Sequence, residues 1–232
     1  MKALEYLQQK ELLHIGMLQV LLRGTAEVYQ EGENGVFLRD TVSGAWMLST
    51  EDVQTGIRWL REKTDAEYRL MQLCQREIAD FAQKEYELTT RLECRQAVYR
   101  GAEPPSYAGR LAICEAGEPE LKKIRANYDK LSDEELKEIQ KAGNLFAGYF
   151  ENQFVGFIGS HLEGSMGLLE ILPEYRRQSF GEELEAFMIG HMMRKGLIPF
   201  GQIEIWNEKS LGLQKKLRME LSDESDLVYW IF

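Results

Sequence analysis

The chain has 232 residues, 44% of them hydrophobic, and a formal net charge of −10. This length and apolar content can bury a real core, as one large domain or two small ones, and exclude a disordered chain. The acidic balance argues against nucleic acid as a partner and favours a cationic or neutral substrate over an anionic one.

Cys74, Cys94 and Cys114 are odd in number and widely spaced. They read as reduced thiols of a cytoplasmic protein, and no Cys/His grouping suggests a metal. The opening residues lack the apolar core of a signal peptide, and no run approaches the roughly 18 apolar residues of a membrane span, so no membrane association is expected.

In chain order, Leu4, Leu7, Leu12, Ile15, Leu18 and Leu22 lie near helical spacing and predict one helix over 2–22. Ala26–Tyr29 and Val36–Leu38 flank Glu33-Asn34-Gly35, a hairpin signal. A strand at Ala45–Leu48 follows, and Ser49-Thr50-Glu51-Asp52 then caps a helix running through Leu60. A short strand near Arg69–Leu73, a helix over Arg76–Lys84 and a strand over Glu87–Val98 complete an α+β first half. Pro104-Pro105-Ser106 sits where a linker belongs, since Pro-Pro continues neither regular element. The expected division is therefore an N-terminal domain over 1–103, a linker at 104–109 and a second domain over 110–232.

Beyond the linker, Leu111–Cys114 reads as a strand, followed by helices over Glu118–Lys130 and Asp133–Ala142, the second capped by Ser132 with Glu135. Leu145–Tyr149 and Phe154–Gly159 form a hairpin about Asn152-Gln153. The apolar run Met166–Leu172 leads into Pro173-Glu174-Tyr175-Arg176-Arg177-Gln178-Ser179-Phe180-Gly181, and a helical pattern continues over Glu182–Arg194. A strand at Gln202–Ile205, a helix from Asn207 and a strand at Leu227–Ile231 close the chain. This order predicts an α/β (α+β) protein, a mixed sheet with helices on both faces.

The stretch 173–181 carries the most chemical information. A helix start presents unpaired N–H groups and partial positive charge, so two arginines and a small-residue loop there suit a phosphate or pyrophosphate. It is not a P-loop, because no Gly-Lys-Ser/Thr follows. The other reading is a solvated basic turn opening an ordinary helix.

Pro-x-Tyr-Arg-x-x-Gly-x-Gly, then a helix, a strand and Asn-x-x-Ser at the next helix start, resembles the GNAT N-acetyltransferases. The second part here is Ile203-Glu204-Ile205-Trp206-Asn207-Glu208-Lys209-Ser210-Leu211. The run from Pro199 to Leu211 looks most like the glycine N-acyltransferase and FR47-like branch. The resemblance covers roughly residues 144–232, and it implies a GNAT-like acyl-CoA-binding domain there. The first half, whose strand–helix–strand rhythm suits a degenerate copy of the same fold, would close over the acceptor side.

By this resemblance acetyl-CoA is the co-substrate. Its pyrophosphate would meet the loop of Arg176, Arg177, Gln178, Ser179, Phe180, Gly181 and Glu182, and its pantetheine arm would pair with Leu169, Glu170 and Ile171. Asn207 and Ser210 would face that arm, although Asn207 could equally be the N-cap of its own helix. Three departures stand out. Ser179 replaces the family's first motif glycine, Gln214 replaces its tyrosine, and Arg218 stands where its helix usually ends in glycine.

Amine attack on a thioester needs a proton acceptor and a donor for the thiolate. The glutamate that the branch carries near the motif strand falls close to Ser165. Glu163 and His161 are therefore the candidate bases, against the alternative of a polar β-turn, and Tyr229 or a water is the candidate acid. His14 and His191 read as structural. The expected activity is direct N-acyl transfer to a small amine or peptide N-terminus, and the sequence is compatible with a homodimer. The rival is a non-catalytic acyl-CoA-binding or interaction module on the same fold.

Overall fold

A computed structural model describes residues 2–63, 67–128 and 131–232. The described chain divides into two compact units. The first runs to Val98 and takes in Gln202–Lys215 and Met219–Phe232, and the second comprises Tyr99–Gly201 with Lys216–Arg218. A division at 104–109 puts residues 202–232 with the second half. The contacts instead give most of that segment to the first unit, because its last strand is hydrogen-bonded there on both sides.

In the first unit the apolar pattern over 2–22 yields two helices, α1 (Lys2–Gln9) and α2 (Ile15–Leu22). The break falls at His14, whose Nδ1 bonds the Leu7 carbonyl at 3.0 Å. Strands β1 (Ala26–Gly32), β2 (Gly35–Asp40) and β3 (Trp46–Thr50) form an antiparallel meander. Gly35 belongs to the strand rather than to the turn. A Cβ there would lie 2.8 Å from Thr50 Cβ, so glycine lets β2 and β3 approach. Ser49 and Thr50 are likewise in the strand, which leaves Asp52 to cap α3 (Val53–Glu62) by accepting from Thr55 N at 2.9 Å.

Next come β4 (Met71–Leu73), α4 (Arg76–Glu85) and β5 (Arg91–Val98), with β4 parallel to β3. β11 (Glu220–Leu221) pairs antiparallel with the end of β5, and β12 (Val228–Ile231) lies between β4 and β5, antiparallel to both. Alternation along β2 divides the core. Val36 and Leu38 pack with residues of α1 and α2, whereas Phe37 packs with those of α3 and α4. Helices therefore cover both faces of this sheet.

The second unit begins with β6 (Ala112–Glu115), α5 (Glu118–Asn127) and α6 (Asp133–Lys141). Asp129 and Lys130, the end expected for α5, lie outside the described residues. The Ser132–Glu135 capping box forms as its spacing predicts. β7 (Leu145–Phe150) and β8 (Gln153–Ser160) turn at Glu151-Asn152, one residue earlier than expected. Both turn residues are left-handed, as a two-residue type I′ hairpin turn requires.

β9 (Met166–Ile171), α7 (Phe180–Arg194) and β10 (Phe200–Glu204) follow. Within this unit the strands run β9-β8-β7-β6, with Gly201 of β10 paired to Met166. Residues of α5 and α6 pack with Leu145, Phe157 and Leu168, and the Phe187 ring of α7 meets Phe146 at 5.1 Å. This is the mixed α/β architecture that the element order predicts. Among the described residues no helix is long and apolar enough to cross a membrane.

Candidate functional site

The strand β9 and the loop behind it carry most of the candidate site residues, and the second unit contains both. β9 carries a bulge. Gly159 faces Gly167 and Phe157 faces Glu170, so β9 spends one more residue than β8 over the same span. Leu168 supplies the irregularity with φ 55°. On its other side β9 pairs with β10 only at Met166, so among the described pairings Leu169, Glu170 and Ile171 have β8 as their single ladder neighbour. That leaves an edge of backbone N–H and C=O groups able to bond an extended, amide-bearing chain.

After a 3-10 turn at Pro173–Tyr175, the loop enters α7 through two left-handed residues, Arg177 (φ 64°) and Ser179 (φ 62°). Ser179 is the N-cap of α7 but makes no side-chain capping bond. The first-turn amides of Phe180, Gly181 and Glu182 therefore have no side-chain acceptor from the cap and face outward with the positive end of the helix dipole. Such a cradle suits a phosphoryl group.

The surrounding charges are mostly paired. Arg176 Nη2 donates to Glu170 Oε1 at 2.8 Å, and Lys216 Nζ lies 3.4 Å from Glu182 Oε2. Arg177 is exposed and has no ion-pair partner among the described residues, which makes it the loop's available cation. Gln178 is exposed and gives its carbonyl to Arg110 Nη2. Arg110 also bonds Glu183, a carboxylate only 2% exposed. Neither residue belongs to a motif. Arg110 follows a glycine after the Pro-Pro stretch, which reads as mere linker end, and only tertiary packing brings it to α7.

His161 and Glu163 lie in a turn, closed by His161 N to Ser165 O at 2.9 Å and Gly164 N to His161 O at 3.0 Å. The polar turn weighed as the alternative is therefore present. It does not join the two candidate bases. Glu163 is buried and accepts from Ser165 Oγ, whereas the His161 ring lies over Gly167, where a Cβ would come within 2.6 Å of Nε2. Ser165, close to the position of the branch's glutamate, thus serves as partner to the Glu163 carboxylate.

The remaining candidates belong to the first unit. Asn207 Oδ1 accepts from Ser210 N at 3.1 Å, so its side chain caps α8 (Glu208–Lys216). Gln214 is buried. Tyr229 is buried on β12 with the guanidinium carbons of Arg91 and Arg76 at 4.8 and 5.4 Å from its ring centre. Burial raises the Tyr229 pKa, with Arg76 pulling in the opposite direction, so the phenol keeps its proton at neutral pH. Among the described residues no group of three His, Cys, Asp or Glu could hold a metal ion.

The family model described as FR47-like protein matches residues 141–231. No curated protein matches the sequence. Among solved structures, a Drosophila protein aligns with a TM-score of 0.68 at 13% identity, over 95% of this chain and 88% of that one. A GCN5-related N-acetyltransferase-like protein from Streptococcus suis aligns at 0.55 and 11% identity, over 97% of each chain. A GCN5-related N-acetyltransferase from Kribbella flavida aligns at 0.55 and 13% identity, over 95% of each.

Proposed function

On a chain that carries the GNAT fold, with an FR47-like segment over residues 141–231, we propose an acyl-CoA-dependent N-acyltransferase. It would transfer acetyl from acetyl-CoA to the primary amine of a small molecule or a peptide N-terminus. The observation that carries this reading is the uncapped start of α7, entered through left-handed Arg177 and Ser179, after a strand whose second edge is paired only at Met166 among the described pairings.

Two features of this chain support acetyl-CoA as the co-substrate. The amides from Ser179 to Glu182 would hold the pyrophosphate with Arg177 adding charge, and the free edge of Leu169–Ile171 would hold the amide groups of the pantetheine arm. When bound, acetyl-CoA supplies a thioester, at which a neutral amine forms the new C–N bond as the C–S bond breaks. Glu163 is the residue of this chain that would take the ammonium proton. Its carboxylate is oriented by the Ser165 hydroxyl and buried at the mouth of β9. The thiolate would take its proton from water.

One observation favours the second reading, an acyl-CoA-binding module without turnover. The family's tyrosine position is Gln214, which is buried and has no acidic proton to give. A thiol-release assay with acetyl-CoA and a panel of amines separates the two. Release that depends on amine supports the transferase, whereas tight CoA binding without release assigns the module.

A further inference from the structure

A side chain outside the motif bonds both the 176–181 loop and the helix behind it. Arg110 Nε donates to Glu183 Oε1 at 2.7 Å, and the backbone N–H groups of Arg110 and Leu111 donate to Glu183 Oε2 at 2.8 and 3.3 Å. The same guanidinium donates through Nη2 to the Gln178 carbonyl and lies 4.7 Å from the centre of the Phe180 ring. One planar fork therefore ties the buried carboxylate of α7 to the backbone of the loop.

We propose that Arg110 is a positioning residue that holds the Gln178–Ser179 peptide in its phosphate-receiving orientation. A trans peptide points its C=O and N–H in opposite directions. Arg110 draws the Gln178 carbonyl to itself, so the Ser179 N–H faces away from it, beside the amides of the first turn of α7. That orientation goes with a positive φ at Ser179, which a non-glycine residue favours little. A flip of this one peptide would relieve the strain and replace a donor with a carbonyl oxygen. The Arg110 fork opposes the flip, which explains how serine serves where the family pattern has glycine. Arg110 also neutralises Glu183, whose carboxylate would otherwise repel an anion at the helix start.

This inference rests on the CoA-binding reading, and its test separates the two. CoA affinity is measured by calorimetry for wild type, Arg110→Lys and the double variant Arg110→Lys/Ser179→Gly. Circular dichroism checks each fold, and Arg110→Met/Glu183→Leu replaces the first variant if lysine does not support folding. Lysine keeps a charge beside Glu183 but cannot also reach the Gln178 carbonyl as a fork. The expected result is an affinity loss of about tenfold for Arg110→Lys, or for the variant that replaces it, the scale of one charge-assisted hydrogen bond. Ser179→Gly should recover most of that loss, since glycine takes positive φ without strain. Full affinity in Arg110→Lys, or a loss that Ser179→Gly leaves untouched, overturns the positioning role. If wild type does not bind CoA, the site reading itself falls and this inference falls with it.

Discussion

Arg176 turns back onto the strand that precedes it. Its Nη2 is 2.8 Å from Glu170 Oε1, and its Nε donates to the Ile171 carbonyl at 2.9 Å. Of the two arginines in the loop motif, one is engaged with β9 and the other, Arg177, has no ion-pair partner among the described residues.

Arg177→Ala should therefore weaken CoA binding more than Arg176→Ala. A charge-assisted contact contributes about 1.5–3 kcal/mol, so the loss at Arg177 is expected at roughly tenfold or more. Reversing both charges should cost several kcal/mol. Calorimetric titration with CoA reads these differences, and an unchanged affinity in the double reversal would remove the loop from the binding site.

Ser179 and Arg218 are left-handed, with φ 62° and 57°, at two positions where the family pattern has glycine. Glycine removes roughly 1–2 kcal/mol of local strain but adds about 0.5–1 kcal/mol of unfolded-state entropy. Ser179→Gly and Arg218→Gly should each leave stability unchanged or raise it by up to about 1 kcal/mol in urea denaturation. Only Ser179→Gly should also tighten CoA binding.

Glu163→Gln should lower turnover by roughly 10²–10⁴ with little change in CoA affinity, if Glu163 accepts the ammonium proton. Raising the pH should recover part of the rate, because more amine is then already neutral. Should His161→Ala show this pattern instead, the role passes to the imidazole over Gly167. If neither variant slows a wild type that turns over, water carries the proton.

The three cysteines should separate by reactivity. Cys74 and Cys94 are buried, and burial pushes both thiols up to about 12, whereas Cys114 is exposed on β6. A thiol reagent at pH 8 should label one cysteine in the native protein and three after unfolding. Labelling of Cys74 or Cys94 at the rate of Cys114 would contradict the packing of the first unit.

Acid should weaken the first unit through His14. Its burial lowers the pKa below the ordinary 6.5, and the imidazole bonds the Leu7 carbonyl and Ser49 Oγ. Above 6.5 neither folded nor unfolded chain carries the proton, so the stabilising contribution is complete. As the pH falls from 6.5 towards the folded value, the unfolded chain takes up a proton that the native state refuses, and stability is lost. His14→Asn should flatten the dependence of unfolding free energy on pH between 6.5 and 5. Burial also lowers the pKa of His191, so part of the slope should remain.

Local signals in the sequence were sound wherever the chemistry is local. The Ser132–Glu135 box caps its helix, and the 173–181 stretch opens α7 as its composition implies. Boundaries moved by a residue or two where a neighbouring strand decides the matter, as at Gly35, whose missing side chain answers to Thr50. What stayed hidden depends on distant partners. Nothing in Gly109-Arg110 announces Glu183, and the alternation of Val228–Ile231 declares a strand without naming β4 and β5 as its neighbours. Periodicity reports which face is buried, but it carries no address for the other side of a hydrogen bond.

The position of β12 bears on the order of events at the ribosome. The strands β4 and β5 emerge early, yet the partner that separates them arrives roughly 130 residues after Val98, on the order of ten seconds later at ordinary synthesis rates. Until then both present unsatisfied edges, which are templates for pairing with other chains. The first unit, although first in sequence, cannot complete its sheet while the second is still being made, so the nascent chain is most exposed to aggregation and to chaperone capture during that interval.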